Sequence, residues 1–378
     1  MRILIAPDKF KGSLTAKQVC DALAAGIGRK IPNAECISFP LADGGDGTAE
    51  ILTYHSGGRM VKVTARDPLL RPIEARYGLS PDNATAFIEM ADASGLRLLK
   101  PSERDVMKAT TAGTGDLIRD AIGNGARTII LGIGGSATND GATGAAHALG
   151  FSFFEEDGQS FLPDGESLSR IFRIDKSGVF RELNEVNFIA VCDVDNPFTG
   201  DSGAAAVYAP QKGASSEQVD ELERGLRHLA RLFRTEFGKE VTDLPGAGGG
   251  GGFGGGAVAF FNATLRRGTE VVFEYTGFEE QVLKADVVIT GEGKIDDQTL
   301  HGKVVAGVAA LAEKHSKALI GVTGINSLPS FMQQELNFTE ILSIQDHAGV
   351  DDPMTKAGQI LGKISEGDLT TAILRFCG

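Results

Sequence analysis

The feature of the sequence that most constrains its fold is a repeated order of segments. A short run of branched apolar residues is followed by a loop rich in Gly, Asp, Ser or Thr and usually by a helical pattern. The runs lie at residues 2–6, 36–39, 128–133, 188–192, 286–289, 318–322 and 341–344. Continuous apolar runs separated by helices are typical of strands that are buried on both faces of a parallel sheet. The sequence therefore predicts an α/β protein with parallel strands.

The segment between residues 57 and 91 departs from this order. Its apolar residues alternate with a period of about two in RMVKVTAR, IEARYGL and TAFIEMA. Such alternation is typical of antiparallel strands, so a mixed sheet is expected there. We predict a discontinuous first domain, residues 1–66 and 285–378, and an inserted second α/β domain, residues 67–284, that contains the mixed sheet.

Composition excludes several classes of protein. The 378 residues include 37 basic and 50 acidic side chains, a net charge of −13 without a Lys/Arg block, so no nucleic-acid partner is expected. The sequence contains no run of about 20 apolar residues, so a membrane span is not expected. The four cysteines lack CxxC spacing, which indicates reduced thiols in a cytoplasmic protein rather than a zinc site or disulfides. A monomer or small homo-oligomer that binds a small anionic substrate fits this composition.

The loop GIGGSATNDG combines glycines with hydroxyl groups at a predicted helix start. Gly134 and Gly135 allow a tight turn, Ser136 and Thr138 add hydroxyl donors, and Asn139 with Asp140 is expected to cap the helix. A helix start offers unpaired N–H groups and the positive end of the dipole, which stabilise phosphate or carboxylate. An ordinary strand-to-helix turn explains the same residues equally well.

Acidic side chains concentrate in other strand-end loops. They are Asp43, Asp46, Asp193, Asp195, Glu292, Asp296 and Asp297, with Asn196 beside the third and fourth. Parallel strands end at one edge of their sheet, where ligands of α/β proteins bind. Carboxylates brought together there repel one another unless a cation such as Mg²⁺ relieves them. Asp and Asn are also common turn residues, so the concentration, rather than any single residue, favours a function.

Lysines occupy the same glycine-rich loops. They are Lys9, Lys11, Lys212, Lys294 and Lys303. Anion-binding loops, carboxylates for Mg²⁺, a lysine for developing charge and a carboxylate that accepts a proton are the parts that phosphoryl transfer needs. A standard P-loop motif is absent from the sequence.

Two other functions remain open on the residues alone. Residues 132–137 fit G-x-G-x-x-A after a strand, and Glu155 and Glu156 follow at about the distance of a ribose-binding acid. This pattern favours an NAD(P)-dependent oxidoreductase acting on a small hydroxy acid. A metabolite-binding module without catalysis would explain the glycine loops but not so many carboxylates.

The run GAGGGGGFGGG, residues 246–256, passes directly into the apolar segment AVAFF without a polar tail. Flexible linkers alternate Gly with polar residues. We therefore predict that this run is a turn where the backbone passes close to another backbone or to a ligand.

Six motifs, in order, resemble those of the bacterial type I glycerate kinases, which include enzymes of glucarate, galactarate and glyoxylate use. They are APDKFKGSLTA, PLADGGDGT, GIGGSATNDG, CDVDNPFTG, APQKGA and ADVVITGEGKIDDQTLHGK, and they extend from residue 3 to about residue 308. The resemblance implies phosphorylation of D-glycerate to 2-phosphoglycerate with ATP and Mg²⁺. It also implies a flavodoxin-like first domain, with the active site in the cleft between the two domains.

The strand-end loops and the resemblance together give the expected site residues. Asp193 is expected to accept a proton or bind Mg²⁺, and Asp296 is a second candidate metal ligand. The other expected catalytic residues are Asp43, Asp46, Glu292 and Lys294. The expected substrate- and phosphate-binding residues are Lys11, Ser13, Gly134, Gly135, Ser136, Thr138, Asn139, Asp140, Asn196, Lys212, Gly291, Gly293 and Lys303. The sequence departs from the family pattern at Lys9, often Ser, at Ala142, often Gly, and in GGGGG, where the family has alanines.

Overall fold

The computed structural model describes residues 1–296, 299, 303–329, 333 and 335–376. The strands are β1 (Arg2–Ile5), β2 (Glu35–Ser38), β3 (Arg59–Arg66), β4 (Pro72–Leu79), β5 (Thr85–Glu89), β6 (Thr128–Gly132), β7 (Ser152–Phe154), β8 (Ser160–Phe161), β9 (Arg173–Asp175), β10 (Asn187–Val191), β11 (Thr264–Arg266), β12 (Val287–Thr290), β13 (Lys294–Ile295), β14 (Ala318–Thr323), β15 (Ile325–Asn326) and β16 (Glu340–Ser343).

The helices are α1 (Ala16–Lys30), α2 (Thr48–Ser56), α3 (Ala91–Ser94), α4 (Ala112–Gly123), α5 (Thr143–Ala148), α6 (Ala204–Tyr208), α7 (Ser216–Phe237), α8 (Gly249–Phe261), α9 (Gly268–Thr276), α10 (Phe278–Lys284), α11 (Val304–Lys314), α12 (Ile344–His347), α13 (Ala357–Glu366) and α14 (Asp368–Leu374). Within the described part of the chain, none of the helices has the length and apolar character that crossing a membrane requires.

The chain forms two compact units. Unit 1 comprises Met1–Asp43 and Val272–Gly378, and unit 2 comprises Gly44–Val271. These bounds differ from the predicted boundaries at residues 66 and 285. Strand β3 pairs along its whole length with β4, which keeps residues 59–66 in unit 2. At the other end, the Phe278 ring of α10 packs 5.5 Å from that of Phe39, which places α10 with unit 1.

Unit 1 is built on a fully parallel sheet in the order β16-β14-β12-β1-β2. Numbered within the unit, the strands run 2-1-3-4-5, which is the flavodoxin-like order. The predicted flavodoxin-like fold is therefore confirmed. Helices α1, α13 and α14 contribute to its apolar core, where Ile3, Leu23, Val287 and Ile320 are fully buried.

Unit 2 contains the predicted mixed sheet, in the order β11-β10-β6-β5-β4-β3. The first four strands are parallel, and β4 is antiparallel to both β5 and β3. The period-two alternation between residues 57 and 91 thus gave the correct type of sheet. A small antiparallel sheet, β8-β7-β9, belongs to the same unit. The carboxyl ends of β6 and β10, which are neighbours, lie at the same edge.

The glycine run forms a turn and the start of α8. Gly250, Gly251 and Gly252 have φ of 67°, 72° and 84°, so three consecutive residues are left-handed inside the segment. A Cβ at Gly251 would lie 1.9 Å from the carbonyl oxygen of Thr138, and one at Gly256 would lie 2.0 Å from that of Gly141. The predicted close approach of two backbones is confirmed. The helical second part was not predicted, because glycine is a poor helix former.

We expect Gly251→Ala to lower the free energy of unfolding by about 3 kcal/mol or more, since it adds a clash with a fixed carbonyl to left-handed strain. Gly238→Ala is the matched control, because Gly238 also has a positive φ of 64° but has nothing within 4 Å of its Cβ position. The control should lose about 1–2 kcal/mol. Urea unfolding followed by circular dichroism measures both, and equal losses would contradict the packing argument.

Candidate functional site

The loops after β6 and β10 line a cavity of about 360 Å³ within unit 2. Ser136 comes from the first loop, Asp193 from the second, and Tyr208 and Lys212 from the segment that follows. The backbone of Gly134, Gly135, Gly249 and Gly250 forms other parts of the wall. The structure therefore brings together residues that the sequence predicted from three separate loops and from the glycine run.

Asp193 follows β10 directly and is held by main chain. Its Oδ1 accepts a hydrogen bond of 2.8 Å from the backbone N–H of Gly268. A Cβ at Gly44 would lie 2.7 Å from Oδ2, so the glycine lets the backbone approach this carboxylate. The position at a strand end and the fixed orientation suit a carboxylate that acts on a bound ligand.

Lys212 is a buried amine that is not paired with any carboxylate of the described residues. The residue is 3% exposed, and its Nζ donates to Ser136 Oγ at 2.8 Å and to the carbonyl oxygen of Thr138 at 2.6 Å. Burial lowers the pKa of Lys212 to about 7, and the charge of Asp140 only partly opposes this. A lysine that loses its charge near neutral pH and lines a cavity is a candidate functional group.

Two further titratable side chains line the cavity. Burial raises the pKa of the Cys192 thiol to about 11 and that of the Tyr208 hydroxyl to about 12. The Tyr208 hydroxyl donates to Asn196 Oδ1 at 2.6 Å, and Asn196 Nδ2 donates to the carbonyl of Ser202 at 2.8 Å. Asn196, predicted to bind substrate, thus positions a wall residue of the cavity.

Thr138, Asn139 and Asp140 are fully buried. Asp140 Oδ2 accepts hydrogen bonds from the Thr111 N–H and hydroxyl, both at 2.8 Å, and from the Gly144 N–H at 3.1 Å. Burial raises the pKa of Asp140. The predicted capping is not seen in that form, because Ala142 is the N-cap residue of α5, although the bond from Gly144 N–H ties Asp140 to the first turn of this helix. The Asn139 side-chain atoms have no hydrogen-bond partner among the described residues. Asp140 mainly joins two loops, and binding of a ligand by these three residues remains a prediction.

A second group of charged residues lies in unit 1, where the strand order reverses between β1 and β12. Asp8 follows β1, and its N–H donates to Gly291 O at 2.8 Å. Glu292 follows β12; its Oε1 accepts from Thr299 Oγ1 at 2.7 Å, and its Oε2 lies 3.7 Å from Lys303 Nζ. Lys9 Nζ lies 3.9 Å from Asp43 Oδ1. We call Asp8, Lys9, Asp43, Glu292 and Lys303 the switch-point group.

Glycines allow close packing around this group. A Cβ at Gly291 would lie 1.6 Å from the carbonyl oxygen of Val322, and one at Gly293 would lie 3.1 Å from the backbone nitrogen of Lys11. Glycine at these two positions therefore lets the loop after β12 pack against the main chain of Val322 and of Lys11. Ligand binding by Gly291 and Gly293 remains a prediction.

Asp8 was missed by the sequence analysis. It is 6% exposed, and burial, assisted by the charge of Asp43, raises its pKa to about 7. The signal available in the sequence was its position. Asp8 follows the apolar run 2–6 closely, as Asp193 follows the run 188–192. Glu89 at the end of β5 was also missed; its Oε1 accepts from the N–H groups of Gly47 and Ala49 at 2.8 and 3.0 Å.

The remaining predicted residues have more exposed positions. Lys294 is half exposed and forms a 3.0 Å ion pair with Asp296. Ser13 Oγ donates to the carbonyl of Met354 at 3.1 Å, and Lys11 and Asp46 are exposed. Asp297 lies outside the described residues. Among the residues described, no three His, Cys, Asp or Glu side chains are grouped so that they could hold a metal ion.

Comparison with known proteins decides the family. The model of the glycerate kinase family matches residues 3–369. The chain belongs to the glycerate kinase family. The family relationship makes the chain a phosphotransferase, as its named relatives are.

Relatives and a solved structure support this assignment over most of the chain. A glycerate kinase of Halalkalibacterium halodurans is 46% identical over 322 residues, which cover 85% of each chain. A glycerate 2-kinase of Escherichia coli K12 is 43% identical over 324 residues, 86% of this chain and 85% of that one. A crystal structure from Salmonella typhimurium LT2, assigned as glycerate kinase 2, aligns with a TM-score of 0.88 at 40% identity and covers 100% of this chain and 97% of that one.

The family membership makes the NAD(P)-dependent oxidoreductase hypothesis wrong, and the fold gives the reason. In a dinucleotide site the glycine turn leads at once into a helix and then into a neighbouring parallel strand. Here α5 begins only at Thr143, and the next strand, β7, pairs antiparallel with β8 and β9. Glu155 and Glu156 lie in the turn between β7 and β8, and the strands beside β6 are β5 and β10.

We expect Asp8→Asn to remove part of the pH dependence of stability. The folded pKa of Asp8 lies near 7 and its ordinary value is 3.8, so the folded protein holds this proton more tightly and loses stability as the pH rises through that window. Through this group the native chain should lose about 3 kcal/mol in free energy of unfolding between about pH 5 and pH 8. The variant should lack this loss.

The groups that act on Asp8 are Asp43, Lys9 and Glu292, and all three stay in the variant. Asp21→Asn is the control, because Asp21 is an exposed carboxylate of the same unit. Its effect on the free energy of unfolding should be about the same at both pH values. Urea unfolding at each pH tests this, and an unchanged pH dependence in Asp8→Asn would refute the assignment.

Proposed function

We propose that this protein transfers the terminal phosphoryl group of ATP to D-glycerate, in the presence of Mg²⁺, and releases 2-phosphoglycerate. The observation that carries the proposal is the cavity of unit 2, where the Asp193 carboxylate and the buried Lys212 amine line the same space. Family membership and relatives named glycerate kinase agree with it.

Asp193 is the proposed proton acceptor. A hydroxyl that attacks phosphorus must lose its proton, and a positioned carboxylate accelerates this transfer by about 10²–10⁴-fold. The Gly268 N–H holds Oδ1 of Asp193 and so fixes the plane of the carboxylate. The other carboxylate oxygen, Oδ2, is the atom that would accept the proton.

Lys212 and Ser136 are the proposed anchors for the anionic group of the substrate. The Lys212 amine is close to its neutral form in the cavity, and a bound carboxylate would favour its charged form. Binding of the anion would therefore be coupled to uptake of a proton. Neighbouring Gly134 and Gly135 let oxygen atoms approach the main chain.

The donor set suits Mg²⁺ that is carried mainly by phosphate. Mg²⁺ in kinases keeps several waters and takes one or two protein carboxylates, so the lack of a cage of three acidic side chains in the described chain is compatible with it. Asp193 fits this role through its place in the cavity wall, whereas Asp296 is already paired with Lys294. Bound Mg²⁺ would neutralise charge that develops on the phosphate oxygens.

The switch-point group of unit 1 is the proposed binding surface for the phosphates of ATP. Ligands of open α/β sheets bind beyond the carboxyl ends of the strands where the strand order reverses. Lys9 and Lys303 supply positive charge there, Lys11 lies in the loop after β1, and Lys294 is the first residue of β13. Asp43 and Glu292 hold these cations in place in the absence of the anion.

The direct test is turnover of D-glycerate by the purified chain with ATP and Mg²⁺. We expect release of ADP, and a ³¹P NMR spectrum of the product should show a phosphate on the 2-hydroxyl. Omission of Mg²⁺ should abolish the reaction. No release of ADP would refute the proposed activity, and a signal from 3-phosphoglycerate would correct the position of transfer.

We expect Asp193→Asn to lower kcat at least about a hundredfold while the protein stays folded, because the variant loses acid–base help. Asp201→Asn is the control, since Asp201 is an exposed carboxylate of the same unit. A loss that raised Mg²⁺ restores would instead identify Asp193 as a metal ligand. An unchanged kcat would remove Asp193 from both roles.

A further inference from the structure

Lys212 has the surroundings of a nucleophilic amine as well as those of an anion anchor. Its two hydrogen-bond acceptors, Ser136 Oγ and the Thr138 carbonyl, are both neutral. Among the described residues, Asp140 is the carboxylate whose charge acts on Nζ, and it forms neither of these two bonds. In the neutral amine these two bonds use both N–H groups and leave the lone pair of Nζ available.

The charge state separates Lys212 from the lysines of the surface. With a pKa of about 7, the amine is about half neutral at pH 7 and largely neutral at pH 8. A surface lysine with a pKa near 10.4 has only about one neutral amine in a thousand at the same pH. Desolvated lysines of this kind form imines with carbonyl compounds.

The other nucleophile in the cavity does not compete. Burial raises the pKa of the Cys192 thiol to about 11, so it stays protonated at neutral pH. Among the other titratable groups in the wall, Tyr208 also stays protonated, and Asp193 is a carboxylate. The cavity of about 360 Å³ admits a molecule of the size of a three-carbon acid.

We propose that Lys212 reversibly traps small 2-oxo and aldehydic carboxylic acids, the oxidised counterparts of a hydroxy-acid substrate, as an imine within this cavity. The choice of acid depends on the proposed function, but the reactivity of the amine does not. Because the imine occupies the place of the hydroxy acid, such compounds are expected to inhibit competitively with slow release.

The reaction is a condensation without a change of oxidation state. The Nζ lone pair forms a bond to the carbonyl carbon, the C=O π electrons move to oxygen, and a proton passes from nitrogen to that oxygen. The resulting hydroxyl then leaves as water, with a proton, while the C=N bond forms. Hydrolysis reverses each step and restores the free lysine.

The test uses glyoxylate as the probe and sodium cyanoborohydride to reduce any imine to a stable carboxymethyl-lysine. The full chain is treated at about pH 7, and labelled peptides are identified by mass spectrometry. We expect Lys212 to be labelled at least about tenfold faster than Lys62, an exposed lysine of the same unit that pairs with Glu74. D-glycerate should protect Lys212 and leave the labelling of Lys62 unchanged.

Two variants make the result specific. In Lys212→Arg the fast labelling should disappear, because the guanidinium keeps the charge but cannot form the imine. In Lys62→Arg the rate at Lys212 should equal that of the native chain. Circular dichroism confirms that each variant is folded.

Labelling of Lys212 no faster than that of Lys62 in the folded native chain would overturn the proposal. The readout does not need turnover, so its failure is distinguishable from failure of the proposed kinase activity. Selective labelling without turnover of D-glycerate would support the trap and refute the kinase proposal, and turnover without selective labelling would do the reverse.

Discussion

The cavity of unit 2 depends on one peptide group, that of Thr138. Its carbonyl oxygen accepts the hydrogen bond from Lys212 Nζ and also lies against Gly251, where a Cβ would be only 1.9 Å away. A side chain at Gly251 would displace this oxygen and with it the acceptor of the buried amine. The glycine run and the lysine are far apart in sequence, yet they support the same loop. Close contact between main-chain segments therefore positions the Lys212 amine.

Buried charge is treated in two different ways within this chain. Asp140 is fully buried, but several N–H and O–H donors compensate one of its oxygens, so it serves to join loops. Asp8 and Lys212 are also buried, but nearby charges and hydrogen bonds offset the effect of burial less. Burial therefore shifts the pKa of each to about 7. Such groups cost stability, and in proteins generally they concentrate at functional sites.

The sequence predicted those parts of the fold that local periodicity determines. Apolar runs between residues 2 and 344 identified parallel strands, and alternation between residues 57 and 91 identified antiparallel ones, because strand burial is visible in the order of residues. The placement of loops at strand ends then followed from the geometry of parallel sheets. Ser136, Asp193 and Lys212 were accordingly found to line one cavity.

Features that depend on distant partners could not be predicted in this way. Asp8 is buried, and its charge environment depends on Asp43 and Glu292, which come from loops far along the chain. The bonds of Asp140 to Thr111 join two loops that no pattern connects. The limit of unit 2 at Gly44 depends on the pairing of β3 with β4, whereas the pattern alone suggested a boundary after β3.

Ala142 shows how the glycine pattern is set by pairs of positions. It has a left-handed φ of 66°, a conformation that favours glycine, at a place where the resembling family often has one. A Cβ at Gly256 would lie 2.6 Å from the Ala142 methyl group, so the methyl group occupies space that Gly256 leaves open. A side chain is therefore tolerated on one of these two segments because the other has none. The many glycines around this cavity thus allow two main-chain segments to pack closely, and they do not indicate a flexible linker.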